Sequence, residues 1–399
     1  MNCRICGSSN LIPTINLGYQ PWGNNFLKKS DLGKEPFYPL EVEFCQHCFN
    51  SQLNFTVPKE VMFSNHTYLS GMTNSLSTHF QKLANKVYET YFSAQKNLSV
   101  LDIGSNDGTQ LNHYKDLGFK VLGVESSRNI AQLANKNGIN TKCAFFNESF
   151  IDSINQKFDV INASGIFFHL EELHSVTRAV KKGLQNEGIF VVQFIYLKKM
   201  IENFAFDQIY HEHLLYYNLK PLEYLLDLHG LEIFDSEELP IHGGSCVAYI
   251  SHKGVRSKTK RFLRMMDQED REKMHLADTY LNFSKELIKI KEKNLKFLKS
   301  CKAENKSVFG MGAPVKGNTL LNFFGIDNNL LTKLVEINPL RKGLYSPGSH
   351  LEVVMESEIK QPPDVYYVLA WNFKDEILKN NVDLINKGVE FYFPVEVKN

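Results

Sequence analysis

An apolar run that passes through an acid into a glycine turn most narrows what this chain can fold into. It reads Val100-Leu101-Asp102-Ile103-Gly104-Ser105-Asn106-Asp107-Gly108. Asn97 to Ile103 is predicted as a strand ending in that turn, and Lys120 to Val124 as a second. Phe158 to Ala163 and Gly188 to Phe194 follow as further strands, with helical patterns between them. Strands spaced by helices in this way indicate a parallel α/β sheet. Upstream, Leu76, Phe80, Leu83, Val87 and Tyr91 recur at spacings of three and four, which predicts a helix from Asn74. The turn places two glycines four apart at the carboxyl edge of the sheet, where such folds bind ligands.

The second constraint lies at the start. Cys3 and Cys6 form one Cys-x-x-Cys pair, and Cys45 and Cys48 form another. Two such pairs supply four thiolates to a tetrahedral zinc ion. A disulfide framework would need an oxidising compartment, and a redox motif only one pair within a βαβ unit; structural zinc is the better expectation. The 38 residues between the pairs must form a small structure of their own. The first ~60 residues, with Gly18, Pro21, Gly23, Pro36 and Pro39, read as loop-rich and held by metal. Cys143, Cys246 and Cys301 read as isolated thiols.

At 399 residues, with 43% apolar and 22% charged side chains, the chain is globular and long enough for two or three domains. The net charge of +1 argues against a dedicated nucleic-acid binder, which needs a basic excess. No apolar run reaches membrane-spanning length and the N-terminus carries no secretory signal, so a cytoplasmic protein without a membrane partner is expected. Residues 253 to 306 hold sixteen Lys or Arg against eight Asp or Glu and read as solvated connecting helices, with anion binding the lesser reading. After them Ser307-Val308-Phe309-Gly310 enters a second glycine turn, and Thr332 to Glu336 and Val365 to Leu369 follow as strands of a second α/β unit.

The first glycine loop lacks the Gly-x-Gly-x-x-Gly spacing of dinucleotide sites. Its Asp-x-Gly-x-x-x-Gly pattern is similar to the first motif of class I methyltransferases that use S-adenosylmethionine. Gly104 and Gly108 would let backbone approach the cofactor, and Asp102 would organise the loop and the ligand's ammonium group. Glu125, ending Val121-Leu122-Gly123-Val124, would accept from the ribose hydroxyls, although such an acid alone also fits a surface position. Ser105 and Asn106 complete the expected cofactor set. Further on, Tyr210-His211-Glu212-His213 gathers titratable groups without zinc-protease spacing, and His169 lies just past the Phe158–Ala163 strand. Both fit either a structural hydrogen-bonded knot or a reactive cluster.

In its motifs, taken in order over nearly the whole length, the chain resembles the three-domain sugar C-methyltransferases of deoxysugar pathways. The shared features are the cysteine pairs with Leu17-Gly18-x-Gln20-Pro21 and Tyr38-Pro39-Leu40, the glycine loop, and Tyr210-His211-Glu212-His213. His242-Gly243-Gly244-Ser245, Gly310-x-Gly312-Ala313-Pro314-x-Lys316-Gly317-Asn318-Thr319-Leu320-Leu321-Asn322 and Pro347-Gly348-x-His350 complete them. The resemblance implies a zinc-binding domain over residues 1–72, a Rossmann-like methyltransferase domain over 73–252, and connecting helices with a second Rossmann-like domain over 253–399. It implies a nucleotide-linked 4-keto-6-deoxy sugar as substrate, with S-adenosylmethionine and structural Zn2+ as cofactors. His213 is then the base, Glu212 its orienting or substrate-binding partner, and Tyr210 and His169 the oxyanion donors. His211, His242 and Gly243 would contact substrate, and Lys316 and Asn318, at a helix start, would grip the diphosphate, a structural role being the alternative for Lys316. Ser164-Gly165 before Ile166, Ser70-Gly71-Met72-Thr73, and Arg341-Lys342 before Gly343 depart from the family pattern where the sugar would sit. An O- or N-methyltransferase on a related activated sugar is the alternative enzyme. A zinc-ribbon binding or scaffold protein is the alternative of another class.

Overall fold

The computed structural model describes residues 1–58, 61–62, 74–93 and 95–395, except the side chains of Asn74, Ser75 and His242. The segment Ser70-Gly71-Met72-Thr73 lies outside the described residues. Three sheets share one continuous apolar core, in which Val42 and Phe44 of the first, Phe190 and Val192 of the second, and Leu334 and Tyr367 of the third take part.

The N-terminal region is more regular than its Gly and Pro content suggests. Strands β1 (Leu11–Pro21), β2 (Phe37–Cys45) and β3 (Ser51–Leu53) form an antiparallel meander. Pro21 and Pro39 stand in the β1–β2 pairing, which is interrupted by two register shifts, and Pro21 is its last residue. Alternation carries the assignment: Ile15 and Leu17, and Leu40, Val42 and Phe44, are buried on one face.

The central sheet contains β4 (Ser99–Ile103), β5 (Lys120–Glu125), β6 (Thr141–Cys143), β7 (Phe158–Ser164) and β8 (Leu184–Ile195). Then β9 (Leu215–Tyr216) leaves it, and β10 (Leu231–Leu239) and β11 (Ser245–His252) return. The order is β10-β11-β8-β7-β4-β5-β6, parallel except for β11, which runs antiparallel to both neighbours. This is the class I methyltransferase arrangement. Short β6, and β10 and β11, are additional to the strands that the sequence pattern predicts. The chain turns from building outward through β5 and β6 to building the other way through β7 and β8, so a crevice opens at the carboxyl ends of β4 and β7.

Strand β9 pairs with β3 (Ser51↔Tyr216, Gln52↔Leu215), so a piece of the central region closes the N-terminal sheet. The residues before it, 210–213, are thereby fixed where the two sheets meet.

The basic stretch forms two helices, Lys260–Arg271 and Ala277–Ala303. They are not solvated all round: Phe262, Met265, Tyr280, Phe283, Leu287 and Leu298 face the core while most of the lysines face outward. Tyr280 packs on Phe44, ring centroids 5.0 Å apart, which joins the long helix to the first sheet. The last sheet holds β12 (Val308–Met311), β13 (Leu334–Glu336), β14 (Val353–Met355), β15 (Val365–Val368) and β16 (Glu390–Tyr392), all parallel, in the order β14-β13-β12-β15-β16. Among the described residues no helix is long and apolar enough to cross a membrane.

Candidate active site and metal centre

The crevice beside β4 is an open cleft of roughly 740 Å³ including the part continuous with solvent. Its wall comes from the ends of four neighbouring strands: Gly104 after β4, Ser126 after β5, Phe146 after β6, and Ile166 and His169 after β7. The glycine requirement is steric. Gly104 has φ +67°, and a Cβ there would stand 2.9 Å from the Ile166 side chain. Gly108, φ +84°, starts the helix Thr109–Asp116, and its Cβ would meet Ile139 at 2.9 Å.

The other expected cofactor residues build this wall from beneath. Glu125 accepts the Asn106 N–H at 3.1 Å and the Ser127 N–H at 2.8 Å, so its carboxylate ties the first loop to the second. Asp102 is buried below the loop, where desolvation and the nearby Glu125 push its carboxyl well above the usual range. Ser105 packs on β5: a Cβ on Gly123 would lie 2.4 Å from its Oγ. Sequence reading missed the apolar wall residues Phe146 and Ile166. Their only signal is position, immediately after the third and fourth parallel strands in chain order.

We expect Gly104→Val to lose S-adenosylhomocysteine binding by at least ~100-fold. The branched side chain must take positive φ and displace Ile166 from the cleft wall. Isothermal calorimetry checks this, and unaltered affinity would show that the cofactor lies elsewhere.

At the start of the chain the four cysteine sulfurs all lie within 4.8 Å of one another. Cys3 and Cys48 are 3.5 Å apart, as are Cys6 and Cys45. Sulfurs at ~2.3 Å around a tetrahedral zinc stand ~3.8 Å apart, so the set fits the ion. No disulfide links them. The four sulfurs are crowded: the Cys48 thiol holds Cys3 low, and Cys48 itself is pushed up. A divalent cation bound by these thiolates would remove that conflict. His47, between the second pair, turns away to the Tyr224 hydroxyl at 3.1 Å.

The histidine cluster is assembled by backbone. The Leu214 N–H donates to Phe168 O at 2.9 Å and the Leu53 N–H to Leu214 O at 3.0 Å. Residues 213 and 169 are therefore brought side by side from separate loops. The His213 ring lies 5.0 Å from His169, edge-on, and 3.8 Å from the Tyr210 ring. His213 Nδ1 donates to Gln208 O at 2.7 Å, which fixes the neutral tautomer and leaves Nε2 as the ring's basic nitrogen. His169 also lines the cleft beside β4, so the cluster and the cleft adjoin. Glu212 is buried and accepts the Trp22 indole N–H at 2.7 Å; desolvation pushes its carboxyl up to about 7. His211 is buried against Tyr38, and desolvation pushes it down to about 4, so it is a neutral packing group at neutral pH.

The expected diphosphate residues are placed differently from one another. Lys316, second in the helix Val315–Phe324, sits 3.6 Å from Asp207 Oδ2 and 4.0 Å above the Trp371 ring. Burial lowers its pKa and raises that of Asp207. Trp371 donates to Asp207 Oδ2 at 2.6 Å. Asn318, instead of facing an anion, is buried and donates to Gly23 O at 2.7 Å. Gly243 packs on Trp371, where a Cβ would come within 3.0 Å, while the side chain of His242 lies outside the described residues. Neither Asp207 nor either tryptophan carries a motif signal, because each matters through partners more than 100 residues away.

The class I sheet, the glycine loop at its crevice and the four-cysteine centre define an S-adenosylmethionine-dependent methyltransferase with a zinc-binding N-terminal domain. Three families match consecutive parts of the chain. Residues 3–63 match one described as "Putative zinc binding domain", 75–236 a "Methyltransferase domain", and 240–396 a "C-methyltransferase C-terminal domain". The chain is similar to C-methyltransferase NovU of Streptomyces niveus, 29% identical over 98% of this chain and 95% of that protein. It is also similar to the ribosomal protein L11 methyltransferase of Dictyoglomus turgidum, 31% identical over 27% of this chain and 36% of that protein. Among solved structures, an S-adenosylmethionine-dependent methyltransferase from Clostridium acetobutylicum aligns with a TM-score of 0.36 at 15% identity, covering 44% of this chain and 92% of that one.

Proposed function

We propose that the protein transfers methyl to carbon, next to the ketone of a nucleotide-linked keto-deoxysugar. The supporting observation is the His213 ring, held by Gln208 O with Nε2 as its basic nitrogen, beside Tyr210 and a histidine that lines the cofactor cleft. A C–H next to a ketone is acidic enough for imidazole only if the developing oxyanion is stabilised. In this reading His213 Nε2 takes that proton, and the Tyr210 hydroxyl and His169 ring donate to the oxygen that gains charge. S-adenosylmethionine, when bound, supplies an electrophilic methyl group to the enolate carbon. Lys316, as a buried cation, supports an anionic substrate between the central and last sheets, with Asp207 as its counter-ion. The similarity to NovU, itself a C-methyltransferase by name, supports carbon as acceptor.

The test is proton exchange without turnover. With S-adenosylhomocysteine in deuterated water, a thymidine-diphosphate-linked 4-keto-6-deoxy sugar is expected to take up deuterium at the carbon to be methylated. Methyl transfer from S-adenosylmethionine with no exchange, and a methyl on oxygen or nitrogen, would overturn the carbon reading in favour of the O- or N-methyltransferase.

A further inference from the structure

The chain holds two tryptophans, and each donates its indole N–H to a buried carboxylate in another part of the fold. Trp22 is the one next to the histidine cluster. It opens the segment 22–36 that joins β1 to β2, and this segment is docked along its length on the C-terminal region. Gly23 O accepts from Asn318, and a Cβ on Gly23 would lie 3.2 Å from Val315 O. The Phe26 ring lies 4.6 Å from the Arg341 guanidinium, and Leu27 bridges Tyr345. Glu35 accepts the Gly348 N–H at 3.1 Å and meets His350 Nε2 at 2.5 Å. An indole held this firmly has little freedom to follow a moving carboxylate, so it sets where the carboxylate points.

We propose that Trp22 is a positioning residue: its indole N–H, held by the docked 22–36 segment, orients the carboxylate of Glu212, the residue that precedes His213. The proposal rests on the catalytic reading of that cluster and extends it to a residue of the zinc-binding domain. The groups facing Glu212 are the Trp22 indole and the Asn24 side chain of the segment, both of which favour the ionised form against desolvation. Its chain neighbours are His211, neutral at pH 7, and His213. Removing a donor to the charged form raises a carboxyl pKa, so Trp22→Phe moves Glu212 ionisation to higher pH.

Two measurements test this. In parent protein the Trp22 indole ¹H–¹⁵N signal, identified by its loss in Trp22→Phe, is expected to shift with a midpoint near pH 7. The shift should be absent in Glu212→Gln. A parent signal that does not move between about pH 5 and 9 would overturn the pairing. In the turnover assay, Trp22→Phe is expected to displace the acid limb of kcat upward by about one pH unit, about ten-fold at the low-pH end, with S-adenosylhomocysteine affinity kept. An equal fall at every pH would mean that Trp22 only holds structure, and would overturn the positioning role. The indole titration needs no substrate, so it stands or falls apart from the choice of sugar.

Discussion

Replacing His213 with alanine is expected to lower methyl transfer by ~10²–10⁴-fold, the usual contribution of a positioned general base. S-adenosylhomocysteine affinity is expected to stay within a few-fold, because His213 is not among the residues of the cleft wall. His213→Asn is the sharper variant. Its amide preserves a donor toward Gln208 O and so the local fold, but offers no basic nitrogen, and it should be as inactive as the alanine. Single-turnover assays and calorimetry on the same preparations check both halves. Turnover surviving in His213→Asn would exclude this ring as the base and move attention to His169, 5.0 Å away.

Loss of the metal is expected to have the other large effect. Cys45→Ser, or strong chelation, should abolish zinc binding and release an unfolding transition of the N-terminal sheet at lower temperature. Structural zinc contributes on the order of 10 kcal/mol in small domains, most of what holds such a domain together. Activity should fall more than ~10-fold although none of the four clustered cysteines lines the cleft. The route is structural: β3 pairs with β9, Leu53 N–H holds Leu214 O, and Trp22 holds Glu212, so melting that sheet frees residues 210–213. Metal analysis together with hydrogen exchange at Leu214–Tyr216 checks the chain of effects. Full activity in metal-free protein would break it.

The same interlocking explains what was legible in the sequence. The central strands could be read because each is a short apolar run closed by a turn, and β4, β5 and β7 lie within two residues of where the pattern places them. The N-terminal sheet shows in the sequence only as a loop-rich structure held by metal, because its strands carry prolines and bulges and are completed by β9, two residues contributed from far along the chain. The lysine-rich stretch looks solvated in the sequence because charge dominates its composition; burial depends on one stripe, Phe262 and Met265 and then Tyr280, Phe283, Leu287 and Leu298, meeting sheets that local sequence does not mention. Asn318 illustrates the limit most plainly. A polar residue near a helix start suggests an anion, yet its partner proved to be the carbonyl of Gly23.

By itself the sequence determined the pieces whose chemistry is local. Four thiols in two pairs fit one metal, and a strand followed by Gly104 and Gly108 makes a tight turn, because ligand spacing and positive φ act within a few residues. Only the tertiary structure decided how those pieces meet. His213 faces His169 because Leu214 bonds to Phe168, and Trp22 reaches Glu212 across 190 residues because β3 and β9 share a ladder. Such contacts are fixed by the packing of sheets against one another. That packing is a property of the whole core, and no single motif carries it.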